Sequence, residues 1–210
     1  MRRLMLALPL IAAAPLLAQM PTQAPGSRNP ALVTGGSYTA DPEHTLVEWH
    51  VDHLGFTPYF GLFGQITGTL ELDPKNPNAA KVDVTIPVSK VVTASAGLTS
   101  HLLRAPAQAG GKPDFFGAAP GDARFVSTRV VARGQEATIT GNLTLNGVTR
   151  PVTLQARFYG AGKMPAAMGG KENVGFEATA AVRRSDFGLG FSVPLVSDEV
   201  KLKIAAGFMK

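Results

Sequence analysis

Ala137-Thr-Ile-Thr-Gly-Asn-Leu-Thr-Leu-Asn-Gly-Val-Thr-Arg-Pro-Val-Thr-Leu-Gln-Ala-Arg-Phe158 is the stretch that decides the fold. Ile139, Gly141, Leu143 and Leu145 share one parity and Thr138, Thr140, Asn142 and Thr144 the other, the two-residue period of a strand with one apolar face. Past Asn146-Gly147 the pattern resumes, with Val152, Leu154, Ala156 and Phe158 alternating with Thr153, Gln155 and Arg157. Asn-Gly readily takes the positive φ angles of a tight hairpin turn. The reading is one long antiparallel hairpin whose strands, about nine to eleven residues each, exceed the usual five or six. An apolar face of that length needs a large cover, and a curved sheet that closes on itself supplies one.

Working outward, the same period recurs. Val47, Trp49, Val51 and His53 oppose Glu48, His50 and Asp52; Ile66, Gly68, Leu70 and Leu72 oppose Gln65, Thr67, Thr69 and Glu71. Val82, Val84 and Ile86, the run Phe125 to Arg133, and Phe176, Ala178, Ala180 and Val182 give further strands. In the last, Val200, Leu202, Ile204, Ala206 and Phe208 face away from Lys201 and Lys203. Only Ala94 to Arg104 changes period, with Leu98, Leu102 and Leu103 at helical spacing. Eight long antiparallel strands, one short helix and no βαβ signal predict an all-β chain, an eight-stranded antiparallel barrel. Its inward faces include Gly68, Gly141, Ala156, Ala178, Ala180 and Ala206. Such small residues leave room for a ligand or fit a taper filled by neighbours, and the pattern leaves both open.

The connections are equally marked. Asp41-Pro42-Glu43-His44 reads as a turn. His53 to Gly64, rich in aromatics and broken by Gly55, Pro58, Gly61 and Gly64, reads as a bent barrel corner or a lip over an apolar ligand. Arg184 to Phe191 reads as a second such corner. Pro106 to Pro113 and Gly160 to Lys171 read as loops, and Phe115-Phe116 as a plug on one core end.

With 210 residues, 45% of them hydrophobic, the chain can bury a real core. Residues 1–18 read as a removable secretory leader: Arg2 and Arg3, an apolar run from Leu4 to Leu17, and small residues before Gln19. Residues 19–36, dominated by Pro, Thr, Gln, Gly, Ser and Asn, read as a disordered spacer, and residues 37–210 as the barrel domain. There is no cysteine, which excludes a lipid-modified terminus and disulfides. Losing Arg2 and Arg3 takes the basic count from 20 to 18 against 15 acids, a mild +3. The basic residues are scattered rather than interleaved with aromatics, so no nucleic-acid groove is expected; a soft attraction to a membrane surface is compatible with the charge.

Motifs for chemistry are scarce. His50 and His53 lie three apart on a strand and point to opposite faces, so a shared metal ion is not expected. No Gly-x-Ser-x-Gly elbow and no phosphate-binding glycine loop occurs. His53, beside the aromatic corner, reads as a satisfied inward histidine or a hydrogen-bonding group for a ligand. Arg184 reads as the partner of Asp186 or Glu177, or as a contact for a phosphate or quinone oxygen. Trp49, the one tryptophan, reads as core.

Asp41-Pro42-Glu43-His44, His53-Leu54-Gly55, Gly61 with Phe63, and Phe115-Phe116 stand in order along the chain. Gly141 to Thr149, Arg184-x-Asp186-Phe187-Gly188 and Val196-Ser197-Asp198-Glu199-Val200 follow. Together, over Ser37 to Lys210, they resemble the YceI-like family of periplasmic polyisoprenoid-binding proteins. The resemblance implies a lipocalin-like barrel, a periplasmic or secreted location, and an apolar interior for an isoprenoid lipid of quinone or polyprenyl phosphate type. It implies no cofactor, no metal and no catalytic residues. Ala105 to Pro113 is longer than the family's usual passage from helix to paired phenylalanines, which bears on the shape of the lip. The expected lining or lip residues are Phe56, Phe60, Phe63, Leu102, Phe187 and Phe191, with His53 and Arg184 as head-group contacts. A lipid-acting enzyme using His53 as base, a solid-cored scaffold, and a homodimer are left open by the residues.

Overall fold

The computed structural model describes residues 22–210, so the expected leader lies outside the described residues. The hairpin forms as its pattern requires. Strands β8 (Glu136–Leu145) and β9 (Val148–Lys163) pair antiparallel from Leu145↔Val148 to Glu136↔Arg157. Asn146 and Gly147 make the turn with φ of 52° and 74°, the left-handed region that this dipeptide enters at least cost.

The remaining strands are β1 (Gly26–Ser27), β2 (Gly36–Ala40), β3 (Leu46–His53), β4 (Thr57–Phe63), β5 (Thr67–Leu72), β6 (Lys81–Ile86), β7 (Ala123–Arg133), β10 (Glu172–Arg183) and β11 (Glu199–Met209). Eight of them close a ring in the order β9, β8, β7, β6, β5, β2, β11, β10 and back to β9, every pairing antiparallel. Closure removes the exposed edges an open sheet of this size would carry. Strand β3 continues the line of β2 along β11, and β4 continues the line of β5, so the hairpin β3–β4 lengthens the barrel at one end. The turn at Asp41 to Thr45 interrupts the first line without leaving it. Asp41 N–H donates to the Gly207 carbonyl at 2.8 Å, and Thr45 Oγ1 both donates to that carbonyl and accepts from Gly207 N–H.

At the lengthened end β4 has no pairing with β6. Its free edge is met by the segment after β6, where Leu62 and Val92 exchange two backbone hydrogen bonds of 2.9 Å. The helix α1 (Ala96–Leu102), capped by Ser95, and the stretch carrying Phe115 and Phe116 cover the gap. Phe116 N–H donates to the Leu102 carbonyl, and its ring meets Phe63 edge-on at 6.0 Å. This end, with the β8–β9 turn and residues 184–198, is the mouth.

Three sequence expectations are corrected. Residues 57–63 form a regular strand instead of a bent corner, and residues 26–36, read as a disordered spacer, lie against the barrel. Gly26–Ser27 pairs with β9, Val33 is buried, and Thr34 donates to Glu172 through both its N–H and its hydroxyl. The loop expected over 160–171 is also shorter, since β9 runs on to Lys163.

Away from the mouth the core is packed by Tyr38, Leu70, Phe158, Val174 and Phe208, with Phe158, Phe176 and Phe208 meeting edge-on. Tyr38, fully buried, donates to Glu172 at 2.6 Å. Burial alone raises the Glu172 carboxyl. The bonds from Tyr38 and Thr34 and the Lys210 charge outweigh it and hold the group at about 2, against 4.5 when unfolded. A depressed folded pKa stabilises above pH 4.5, and that contribution is lost as pH falls through about 2. Glu172→Gln is expected to lower stability at neutral pH by roughly 1–3 kcal/mol and to flatten the pH dependence across that window, measured by urea unfolding.

Candidate functional site

The inward parity of every stave meets in one elongated cavity of about 690 Å³, within the range of small-molecule sites. Its walls are the residues the alternation assigns inward. Val47, Trp49 and Val51 line it from β3, Ile139, Leu143 and Leu145 from β8, Val152 and Leu154 from β9, and Val200, Leu202 and Ile204 from β11. The lining runs from Phe191 and Ser192 at the mouth to Gly134 and Gln135 at the β7–β8 turn. Aromatic rings packed on bare backbone keep the wall smooth. A Cβ on Gly61 would lie 2.7 Å from both Trp49 Cε2 and the Val92 carbonyl oxygen, so the indole lies flat where any side chain would clash. Trp49 Nε1 is buried without a partner, its cross-strand neighbour being that glycine.

The expected site residues separate into four groups. Phe63, Leu102, Phe191 and His53 line the cavity. Phe56 and Phe60 do not. Once 57–63 is a strand, Tyr59, Gly61 and Phe63 face in and Phe60 faces out, where it is 57% exposed with its ring 5.4 Å from His50. Phe56 stands 85% exposed at the tip of the β3–β4 turn. Phe187 is buried off the cavity, in a short helical turn whose carbonyl accepts from Asn146 Nδ2 at 2.9 Å, tying the 184–198 segment to the β8–β9 turn.

Arg184 touches the cavity wall, yet its guanidinium is already engaged. Nε donates to the Ser197 carbonyl, Nη1 to those of Leu189 and Phe191, and Nη2 to that of Val196, at 2.6–2.9 Å. Four of its five N–H groups are thereby committed to backbone. Burial lowers its pKa and nearby Asp198 opposes that effect; the pairing expected with Asp186 or Glu177 is absent from the contacts it makes. Arg184 shapes the mouth and leaves little of its fork for a ligand.

The pattern of the sequence overlooked His101, Tyr59 and Ser192, which line the mouth together with Phe115 and Phe116, the pair read from the sequence as a plug. His101 Nε2 lies 2.7 Å from Asp114 Oδ2, which Arg104 also reaches at 2.9 Å. Hydrogen bonding by His101 is the strongest influence holding the Asp114 carboxyl below its ordinary range. The rings of His101, Phe115 and Phe191 meet edge-on at 5.2–5.9 Å. The signal existed: His101 sits three residues from Leu98 and one from Leu102, on the apolar face of α1. Among the described residues no group of three or more His, Asp and Glu could hold a metal ion, and no helix is long and apolar enough to cross a membrane.

Comparison with known proteins places this geometry. The YceI-like domain model matches residues 38–208. Protein YceI of Salmonella heidelberg is 41% identical over 171 residues, covering 80% of this chain and 84% of that protein. The crystal structure of the Campylobacter jejuni YCEI protein superposes with a TM-score of 0.61 at 28% identity, over 76% of this chain and 89% of that one. A polyisoprenoid binding domain from Saccharophagus degradans shares the fold, with a TM-score of 0.58 at 12% identity over 81% of this chain and 97% of the other. Matched along nearly its whole barrel, the chain belongs to the YceI-like family.

Proposed function

We propose that the barrel holds the apolar tail of an isoprenoid lipid, of quinone or polyprenyl type, and carries, stores or sequesters it in the periplasm or outside the cell without chemical turnover. The observation that carries this reading is the continuous cavity, lined mainly by apolar side chains, in which the wall groups Thr45 and Arg184 are engaged with backbone. The Saccharophagus degradans domain of the same fold, described as polyisoprenoid binding, supports it. Burying one five-carbon unit is worth roughly 3–4 kcal/mol gross at about 0.8 kcal/mol per carbon, so a tail binds without strong polar contacts even after association losses. Elongation suits a chain: β9, sixteen residues long, spans roughly 50 Å at about 3.3 Å per residue.

Beside the mouth, Leu54, Phe56 and Leu195 are exposed on adjoining tips, joined by a 2.8 Å bond from Leu54 N–H to the Leu195 carbonyl. These apolar tips favour lipid exchange at a membrane surface. The single tryptophan, on the cavity wall, reports occupancy. Titrating the emptied protein with geranylgeraniol is expected to change Trp49 fluorescence saturably at one lipid per chain. A linear, non-saturating response with geranylgeraniol and with a quinone of the same tail would overturn the reading.

A further inference from the structure

Resting on that reading, we propose that the mouth selects lipids by head-group charge. His53, Tyr59, His101 and Ser192 form a collar that takes an uncharged, oxygen-bearing head, a quinone, phenol or alcohol, and disfavours the corresponding phosphate.

A phosphate drawn into an apolar site needs fixed cations or converging N–H donors, because an unpaired anion in a low dielectric is strongly disfavoured. The cations on the cavity wall are Arg184 and Arg157, and both are committed. Arg184 holds four backbone carbonyls. Arg157, at the far end, pairs with Glu177 at 2.5 Å. Arg104, behind the collar, is neutralised by Asp114. No lysine lines the cavity among the described residues.

What the mouth offers instead is a set of single hydrogen-bonding groups. The Asp114 carboxylate accepts from His101 Nε2–H, which leaves Nδ1 as the acceptor in the neutral ring. An acceptor there suits the O–H of an alcohol, phenol or quinol, and the Tyr59 hydroxyl can donate to a carbonyl. The same Asp114, paired with Arg104, cancels that cation, so no net positive charge stands behind the collar to draw in a phosphate. Asp114 is thus a positioning residue and His101 a contact residue.

The test compares geranylgeraniol, a quinone bearing the same tail, and geranylgeranyl phosphate, each titrated against emptied protein and followed by Trp49 fluorescence. The alcohol and quinone are expected to bind at least about tenfold tighter than the phosphate. His53→Arg, which adds a cation on the exposed end of β3, is expected to raise phosphate affinity relative to the alcohol and so narrow that gap. Phosphate binding as tight as the alcohol, or a gap that His53→Arg leaves untouched, would overturn the collar while leaving the lipid reading intact. Absence of saturable binding by all three would overturn the lipid reading itself.

Discussion

Arg184→Met is expected to lower the stability of the protein by about 3–5 kcal/mol, one of the largest losses any single side chain here can cause. Methionine preserves much of the side-chain length and removes every donor. The carbonyls of Ser197, Leu189, Phe191 and Val196 converge on one planar guanidinium at 2.6–2.9 Å, and residue 184 is only 7% exposed. A buried acceptor left without a donor costs about 1–3 kcal/mol, and water entering from the mouth relieves some but not all of the four. Arg184→Lys is expected to recover less than about half of the loss, since one ammonium cannot reach carbonyls spread around a fork. The backbone of residue 184 stays anchored to the Asp198 carbonyl, and Asp198 in turn accepts from Ser185 and Arg183. The damage therefore centres on residues 189–197. Urea unfolding with an unchanged slope and faster amide exchange in that segment would check it. A loss below about 1 kcal/mol would contradict the role given to the guanidinium.

Ala178→Phe is expected to abolish lipid binding with little effect on the fold, a fall in affinity of about a hundredfold or more. Ala178 on β10 faces Ala156 across the ladder to β9, and both line the cavity beside Phe158 and Phe176. A phenyl group there fills lumen that a tail would occupy. Because it enters existing space, the change in stability stays within about 1.5 kcal/mol, below the cost of forcing a ring into a packed core. The pairing of these two effects is the diagnostic: Arg184→Met damages stability first, Ala178→Phe damages binding alone. An Ala178→Phe protein that folds and binds geranylgeraniol as the parent does would place the tail elsewhere.

Much of this architecture was legible because alternation is a local property. Ile139, Leu143, Val152, Leu154, Leu202 and Ile204 announce their face by parity alone, and all of them line the cavity. Strand β4 escaped because Pro58 and Gly61 are ordinarily strand breakers, and both are excused here by tertiary context. Asp52 turns its N–H and carbonyl toward Ser197, so Pro58 opposite it directs its missing donor to the open edge of the sheet. Gly61 is the bed of the Trp49 indole. Missing that strand also blurred the aromatic segment, since only its parity separates inward Tyr59 and Phe63 from outward Phe60. The 26–36 segment escaped because its anchors, Glu172 and β9, lie more than a hundred residues away along the chain. Arg184 was visible as a charge, but convergence of carbonyls from residues 189 to 197 is a property of the folded loop.

The most direct measurement is the organic extract of the protein, purified gently from a membrane-containing host and weighed by mass spectrometry. The account predicts an isoprenoid lipid at close to one per chain, absent from Ala178→Phe prepared alongside. An extract without lipid, repeated after the protein has been offered polyprenols, polyprenyl phosphates and isoprenoid quinones, would contradict it and leave the cavity without its proposed tenant.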